Sequence, residues 1–233
     1  MAIIQPYSIP RNGYFSLIYN AEGFIFFDTP QFTKKIWCER NGIIKLTGGS
    51  TYIRVPLEKV ILGTPINKIT INNNNDWRGK LFSQLEIYKA AKYYSVIIPI
   101  LKGVIYQDYD KLSTLNISLI MRILNYLDIK RDIFIYSDMN IDIEKVNSPD
   151  EWALNICKRI GASTYINSPG GREFFDPIKY ESSKIHLRFI EQPLSSYEQI
   201  VDGFEVGLSI VDLLMHLSKH EIVEMLDKST LSN

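Results

Sequence analysis

The chain has 233 residues, 45% of them hydrophobic, with 26 Lys+Arg against 26 Asp+Glu. A formal charge of zero argues against nucleic acid as the main partner, because neutralising phosphates favours a basic domain. The apolar share supports a real core, and no low-complexity segment interrupts it.

Taken in chain order, Ala2-Ile3-Ile4 is a short apolar run broken by Gln5-Pro6-Tyr7, and Tyr14 to Ile18 starts a helix. Gly23 to Asp28 reads as a second strand ending in a carboxylate, followed by Thr29-Pro30-Gln31-Phe32. Residues 43–56 read as a β-hairpin around Gly48-Gly49, closed by Pro56. Ile66 to Ile71 is a further strand, and Asn75 or Asp76 caps a helix from Trp77 to Lys89. Tyr93 to Tyr109 is helical, with a break expected at Pro99 or Gly103.

Leu112 to Leu127 is the clearest amphipathic helix, its apolar side interrupted by Asn116. Ile133 to Tyr136 is a strand. Ser148-Pro149-Asp150-Glu151 opens a helix that Gly161 closes. Thr164-Tyr165-Ile166 leads into Asn167-Ser168-Pro169-Gly170-Gly171-Arg172 and a helix beyond, and Ile185 to Ile190 alternates as a strand. Val206 to Leu217 and Glu221 to Leu226 make a helical end. Strands and helices alternate, so the class is α/β, mainly parallel and Rossmann-like, with the hairpin inserted and residues 1–233 in one domain.

Two cysteines, Cys38 and Cys157, provide no disulfide framework or metal-ligand spacing, so a reducing cytoplasm is expected and a metal is not. No signal peptide is visible, and the most apolar stretch, Val96 to Tyr106, is too short to span a bilayer.

In parallel α/β sheets, ligands bind outside the carboxyl ends of the strands. That rule places Gln5, Tyr7, Asp28 and Gln31 at the ligand edge. Arg40 and Asn41 beside Trp37 form an anion- and ring-binding segment, whereas Lys34-Lys35 reads as a solvated basic turn. The loop Asn167 to Arg172 is either an anion cradle, with Pro169, Gly170 and Gly171 exposing backbone N–H groups and Arg172 adding a fork, or an ordinary tight turn. His186 points away from its strand's apolar face. His216 and His220, four residues apart, share a helical face without a third metal ligand. Ser209 and Asp212 fit a helix capping box. Cys157 lies on an apolar stripe, and Cys38, in a polar loop, is the more reactive thiol candidate.

Gln5-Pro6-Tyr7, Gly13-Tyr14-Phe15, Asp28 with Gln31, Trp37, Arg40-Asn41, Trp77 and Asn116 together resemble the WbqC-like family, as do Cys157-Lys158 to Ile166, Pro169-Gly170-Gly171 and Leu208 to Leu214. The resemblance implies a cytoplasmic role in bacterial O-antigen or capsule assembly, acting on an amino sugar carried on a nucleotide. The reaction implied is transfer of glycine or another acyl group to the sugar amine. Under that reading Asp28 is the candidate base and His186 the reserve. Backbone N–H groups at Gly170-Gly171, or Gln5 and Gln31, hold an oxyanion or diphosphate, while Tyr7, Tyr14 and Trp37 stack on sugar or base. Arg40 and Arg172 pair with phosphate or carboxylate.

The acyl donor stays open between a carrier-protein thioester, a coenzyme A thioester and an aminoacyl adenylate. An acyl carrier protein is a candidate partner, with Lys34-Lys35 for docking. The chain departs from the family's pattern at Asp28-Thr29, where members often have two acids, and at Leu81, where they often have His. Arg11-Asn12 also replaces the usual apolar residues before Gly13. The opening strand–loop–helix–strand is similar in plan to nucleotidylyltransferase-like domains, but their loop histidines are absent. An ATP-dependent ligase and a non-catalytic sugar-nucleotide-binding scaffold are the alternatives.

Overall fold

Phe24 and Phe26 turn to one side of the central sheet and Ile25 to the other, so the second strand alone shows that both faces are covered. The computed structural model describes residues 1–233 except Lys35 and Leu194. Six strands form the sheet: β1 (Ala2–Ile4), β2 (Gly23–Phe26), β5 (Asp132–Ile135), β6 (Thr164–Asn167), β7 (His186–Glu191) and β8 (Thr230–Ser232). Their order is β5-β2-β1-β6-β7-β8. All neighbours are parallel except β8, which pairs antiparallel to β7. A separate antiparallel hairpin, β3 (Arg40–Ile44) and β4 (Ser50–Arg54), forms the second sheet.

The helices are α1 (Asn12–Asn20), α2 (Trp77–Leu85), α3 (Tyr94–Ile105), α4 (Leu112–Tyr126), α5 (Glu151–Ile160), α6 (Pro177–Ser182), α7 (Ile210–His216) and α8 (Lys219–Asp227). The larger core packs α1 to α4, α7, α8 and the hairpin against Ala2, Phe24 and Phe26. The smaller core packs α5 and α6 against Ile3, Ile25, Tyr165 and Phe189. The chain therefore winds outward through β1, β2 and β5 with helices on one face. It then crosses to β6 and β7 with helices on the other. The strand order reverses between β1 and β6, the topological switch point where an open α/β sheet binds ligands.

Several local expectations change. Residues 66–68 form a 3-10 turn rather than a strand, because Ile66 N–H donates to Pro30 O (2.9 Å) and Asn67 N–H to Asp28 O (2.8 Å). Pro99 lies inside an unbroken α3. The hairpin strands begin earlier than expected, with the turn at Lys45–Gly49. Ser209 caps α7 as expected, but Asp212 does not close a capping box. Its buried carboxylate accepts from Tyr197 O–H (2.6 Å) and Gln199 Nε2 (2.8 Å) instead. His216 and His220 fall on different helices, one nearly buried and one exposed. Both cysteines are free and buried, and burial pushes the Cys38 thiol well above its ordinary range, so Cys38 is not the reactive thiol expected. Among the described residues no helix is long and apolar enough to cross a membrane.

Candidate functional site

At the switch point the carboxyl ends of β1, β2 and β6 open onto a cleft of about 730 Å³. The β1 exit supplies Gln5 and Tyr7, the β2 exit Phe27, Thr29 and Gln31, and the start of α5 Pro149 and Trp152. The β6 exit supplies Tyr165, Asn167, Ser168, Gly170, Gly171, Phe174 and Phe175. Aspartate, glutamate, lysine, arginine, histidine and cysteine are all missing from its described lining.

The loop leaving β1 is fixed from four directions. Tyr14 O–H donates to Gln5 O (2.9 Å), and Asn116 Nδ2 to Pro6 O (2.9 Å). Asn41 Nδ2 donates to Ser8 O (3.2 Å), and Ser209 O–H to Ile9 O (2.7 Å). Ile9 is held at φ 38°, a left-handed conformation that a β-branched residue adopts only under constraint. Burial pushes the Tyr7 phenol up to about 12, with Cys38 adding to it, so near neutral pH Tyr7 is a hydrogen-bond donor and not a base.

Asp28 does not face this cleft. It is 2% exposed, and its carboxylate accepts from Ser137 N–H (3.1 Å) and Ser137 O–H (2.7 Å). That bond ties the end of β2 to the turn after β5. Its neighbours Phe27 and Thr29 face the ligand side instead. Phe27 packs on Trp152 with ring centres 5.4 Å apart and on Tyr136 at 5.2 Å.

Trp152 is set by the start of α5, which an ion cluster pins to α6. Lys179 Nζ reaches Asp150 Oδ2 (3.1 Å), Glu151 Oε1 (2.9 Å) and Ser148 Oγ (2.8 Å). The Asn147 N–H, then Lys179, holds the Glu151 carboxyl down to about 2. Burial opposes ionisation of Asp150, yet Ser148 and Lys179 together keep its carboxyl below the ordinary range. Glu151 raises the Lys179 ammonium above its ordinary value, aided by Asp150.

A depressed folded-state carboxyl stabilises above its unfolded pKa and loses that stabilisation as pH falls through the folded one. The Glu151 contribution is therefore complete above its ordinary 4.5 and lost on the way to about 2. Melting temperature followed across that window is expected to fall more steeply for the wild type than for Glu151→Gln. Parallel curves would remove Glu151 from the clamp. On the alkaline side the raised Lys179 acts in reverse, stabilising below its unfolded pKa and fading as pH climbs through the folded one.

Of the residues expected at the site, Gln5, Tyr7, Gln31, Gly170 and Gly171 line the cleft, and Pro169 starts the same 3-10 turn. Tyr14 sits behind, holding Gln5. The Gly171 N–H is already spent on Ser168 O (3.1 Å). Arg172 points to the far strands, pairing with Glu191 (2.7 Å) and the Asn233 main-chain oxygen and lying over the Phe189 ring. His186 begins β7, at the amino edge of the sheet, opposite the edge that bears the cleft. Arg40 stacks on Tyr52, Trp37 lies under Arg11, and Asn41 is a buried tie for the β1 loop. Of the proposed docking pair, Lys34 is exposed and Lys35 lies outside the described residues.

Sequence reasoning missed Trp152, Phe27, Phe174 and Phe175, and named Asn167 only as the start of its loop. Trp152 carried a signal, since it falls off the Ala153, Ile156, Cys157 stripe of its own helix. Asn167 is committed internally, donating to Tyr165 Oη (3.0 Å) and accepting from Ser168 N–H (2.7 Å). Among the described residues no hydrogen bond uses the amide of Gln31 or the hydroxyls of Thr29 and Tyr7, which leaves them for a ligand. Nor is there any cluster of three or more His, Cys, Asp or Glu able to hold a metal.

The sequence pattern of the WbqC-like protein family matches residues 5–224. The chain is 31% identical over 222 residues to the Mycobacterium tuberculosis protein named Uncharacterized protein Rv1507c, covering 93% of each. No solved structure matches it.

Proposed function

We propose, from the premise that this chain belongs to the WbqC-like protein family, that it acylates the amine of a nucleotide-linked amino sugar during bacterial surface-polysaccharide assembly in the cytoplasm. The observation that carries this reading is the uncharged lining of the switch-point cleft. Aromatic walls at Phe27, Trp152 and Phe174 suit the C–H faces of a sugar ring. The amides of Gln5 and Gln31 and the hydroxyls of Thr29 and Tyr7 suit its polar substituents. A cleft whose described lining carries no cation takes the ring in preference to the diphosphate, which belongs outside it.

In the transfer, the amine nitrogen bonds to the acyl carbon, the bond from that carbon to sulfur breaks, and the amine proton leaves to solvent or the thiolate. An activated thioester requires chiefly that the two groups be held together, which a shaped cleft provides without a side-chain base. Gln5 and Tyr7 are the donors nearest to hand for the oxyanion. Glycyl is the acyl group proposed. The donor is a carrier-protein or coenzyme A thioester.

A second reading, a non-catalytic sugar-nucleotide-binding protein, draws on the same lining, because no carboxylate, imidazole or thiol is among its described residues. One assay separates the two. Nucleotide-linked 3- and 4-amino sugars are incubated with glycyl and short acyl thioesters of coenzyme A and of a carrier protein, and products are read by mass spectrometry. Protein-dependent N-acylation is the expected result. Binding of the sugar nucleotide without product from any thioester would leave the binding-protein reading. Product formed only with ATP and free amino acid would establish a ligase.

A further inference from the structure

A second concavity lies between the β3–β4 hairpin and α2. It is a groove of about 500 Å³ lined by Tyr52, Arg54, Asp76, Trp77, Lys80 and Gln84 among others. We propose that this groove binds a nucleoside diphosphate, with Arg54 and Lys80 meeting the phosphates and Tyr52 the base.

The hairpin register sets Arg40 directly opposite Arg54. Like charges facing each other across an antiparallel pair repel, so the pairing works against the hairpin unless an anion relieves it. Among the described residues Arg54 and Lys80 make no ion pair. The one carboxylate among the groove's described lining, Asp76, is committed to capping α2 by accepting from Gly79 N–H (2.8 Å). Gly79 is needed for that: a Cβ there would lie 2.1 Å from Asp76 Oδ2.

The aromatic half is equally set. Gly42 stands across from Tyr52 and offers no side chain, and the Arg40 guanidinium lies 4.1 Å from the Tyr52 ring centre. Tyr52 is 45% exposed and lines the groove. Gln84 Nε2 donates to Tyr52 O (3.3 Å), joining α2 to the hairpin so that both walls are in place before a ligand arrives. Guanidinium forks pair two phosphate oxygens at once, the ammonium adds a point charge, and a tyrosine face accepts any base. Two cations in the described lining, with Arg40 opposite one of them in the hairpin, against one committed carboxylate match a short, multiply charged phosphate. The chain's zero formal charge argues against a polymer. This proposal stands whether or not the cleft reading does.

Calorimetric titration of the full chain with ADP, UDP and inorganic pyrophosphate, at low and high salt, tests it. At least one nucleotide is expected to bind, more weakly as salt rises. The double variant Arg54→Gln/Lys80→Gln is expected to lose at least about tenfold in affinity. Tyr52→Leu should weaken nucleotide binding and leave pyrophosphate unchanged. Lys45→Gln, on the hairpin turn outside the groove, should bind like the wild type. ADP tighter than UDP would identify an adenine-bearing donor as the occupant, and the reverse would identify the sugar's own nucleotide. Failure of both nucleotides to bind would overturn the proposal. So would unchanged affinity in the folded double variant or in Tyr52→Leu.

Discussion

Trp152→Ala is expected to weaken binding of an amino-sugar nucleotide by about thirtyfold, roughly 2 kcal/mol, the scale of an aromatic anchor in a binding site. The argument rests on position. The indole is 38% exposed, large, and packed on its inner side by Phe27 at 5.4 Å, so its outer surface is what the cleft presents. Its backbone is fixed by the Lys179 cluster at the adjoining Asp150 and Glu151, so little ordering cost is left for the ligand to meet. Folding stability should fall by only about 1 kcal/mol, the ordinary cost of a half-exposed substitution. Affinity by calorimetry and stability by urea denaturation separate the two effects. Equal affinity in wild type and variant would show that the ligand does not touch this wall.

Asn116→Leu is expected to cost about 2–4 kcal/mol of folding stability, because two buried carbonyls lose their donor at once. Asn116 is completely buried, and its Nδ2 donates to Pro6 O (2.9 Å) and Cys38 O (2.8 Å). Leucine has the same number and branching of side-chain heavy atoms and suits the apolar stripe of α4, so the substitution removes the two hydrogen bonds without opening a cavity. For a domain of this size the melting temperature should drop by roughly 2–4 °C per kcal/mol. The same bond fastens the loop carrying Gln5 and Tyr7, so ligand affinity should fall along with stability. A variant as stable as the wild type would mean that water replaces the amide.

The opening strand–helix–strand unit and the α/β class were legible because apolar periodicity and turn residues are local signals. The same locality explains the errors. Ile66, Ile69, Thr70 and Ile71 are β-branched and read as a strand, but the N–H groups of Ile66 and Asn67 go to Pro30 and Asp28 and that of Ile69 turns back to Ile66. Gln5, Tyr7, Gln31, Gly170 and Gly171 could be placed from the rule about strand ends alone. Phe27 and Phe174 could not, since an apolar side chain in sequence reads as core until the neighbouring strand is known. Charged residues misled in the opposite direction. Arg172 looked like a ligand group because its partners, Glu191 and the Asn233 main chain, become adjacent only when three unremarkable residues form β8. Asp28 carries its expected carboxylate, but the turn after β5 claims it. The alternation that put Phe27 and Thr29 in the cleft also turned Asp28 out of it.

The fastening of the β1 loop also has a consequence for how the protein is made. The Ser209 hydroxyl that holds Ile9 lies 200 residues downstream of it, and Ile210 N–H bonds Pro10 O from the same place. At about 5–20 residues per second on the ribosome, that gap takes on the order of 10–40 s to synthesise. Throughout that interval Gln5 and Tyr7 have been synthesised, but the far clamp on their loop has not. A nascent chain therefore holds this loop only by its nearer ties, Tyr14, Asn41 and Asn116, until Ser209 has been translated.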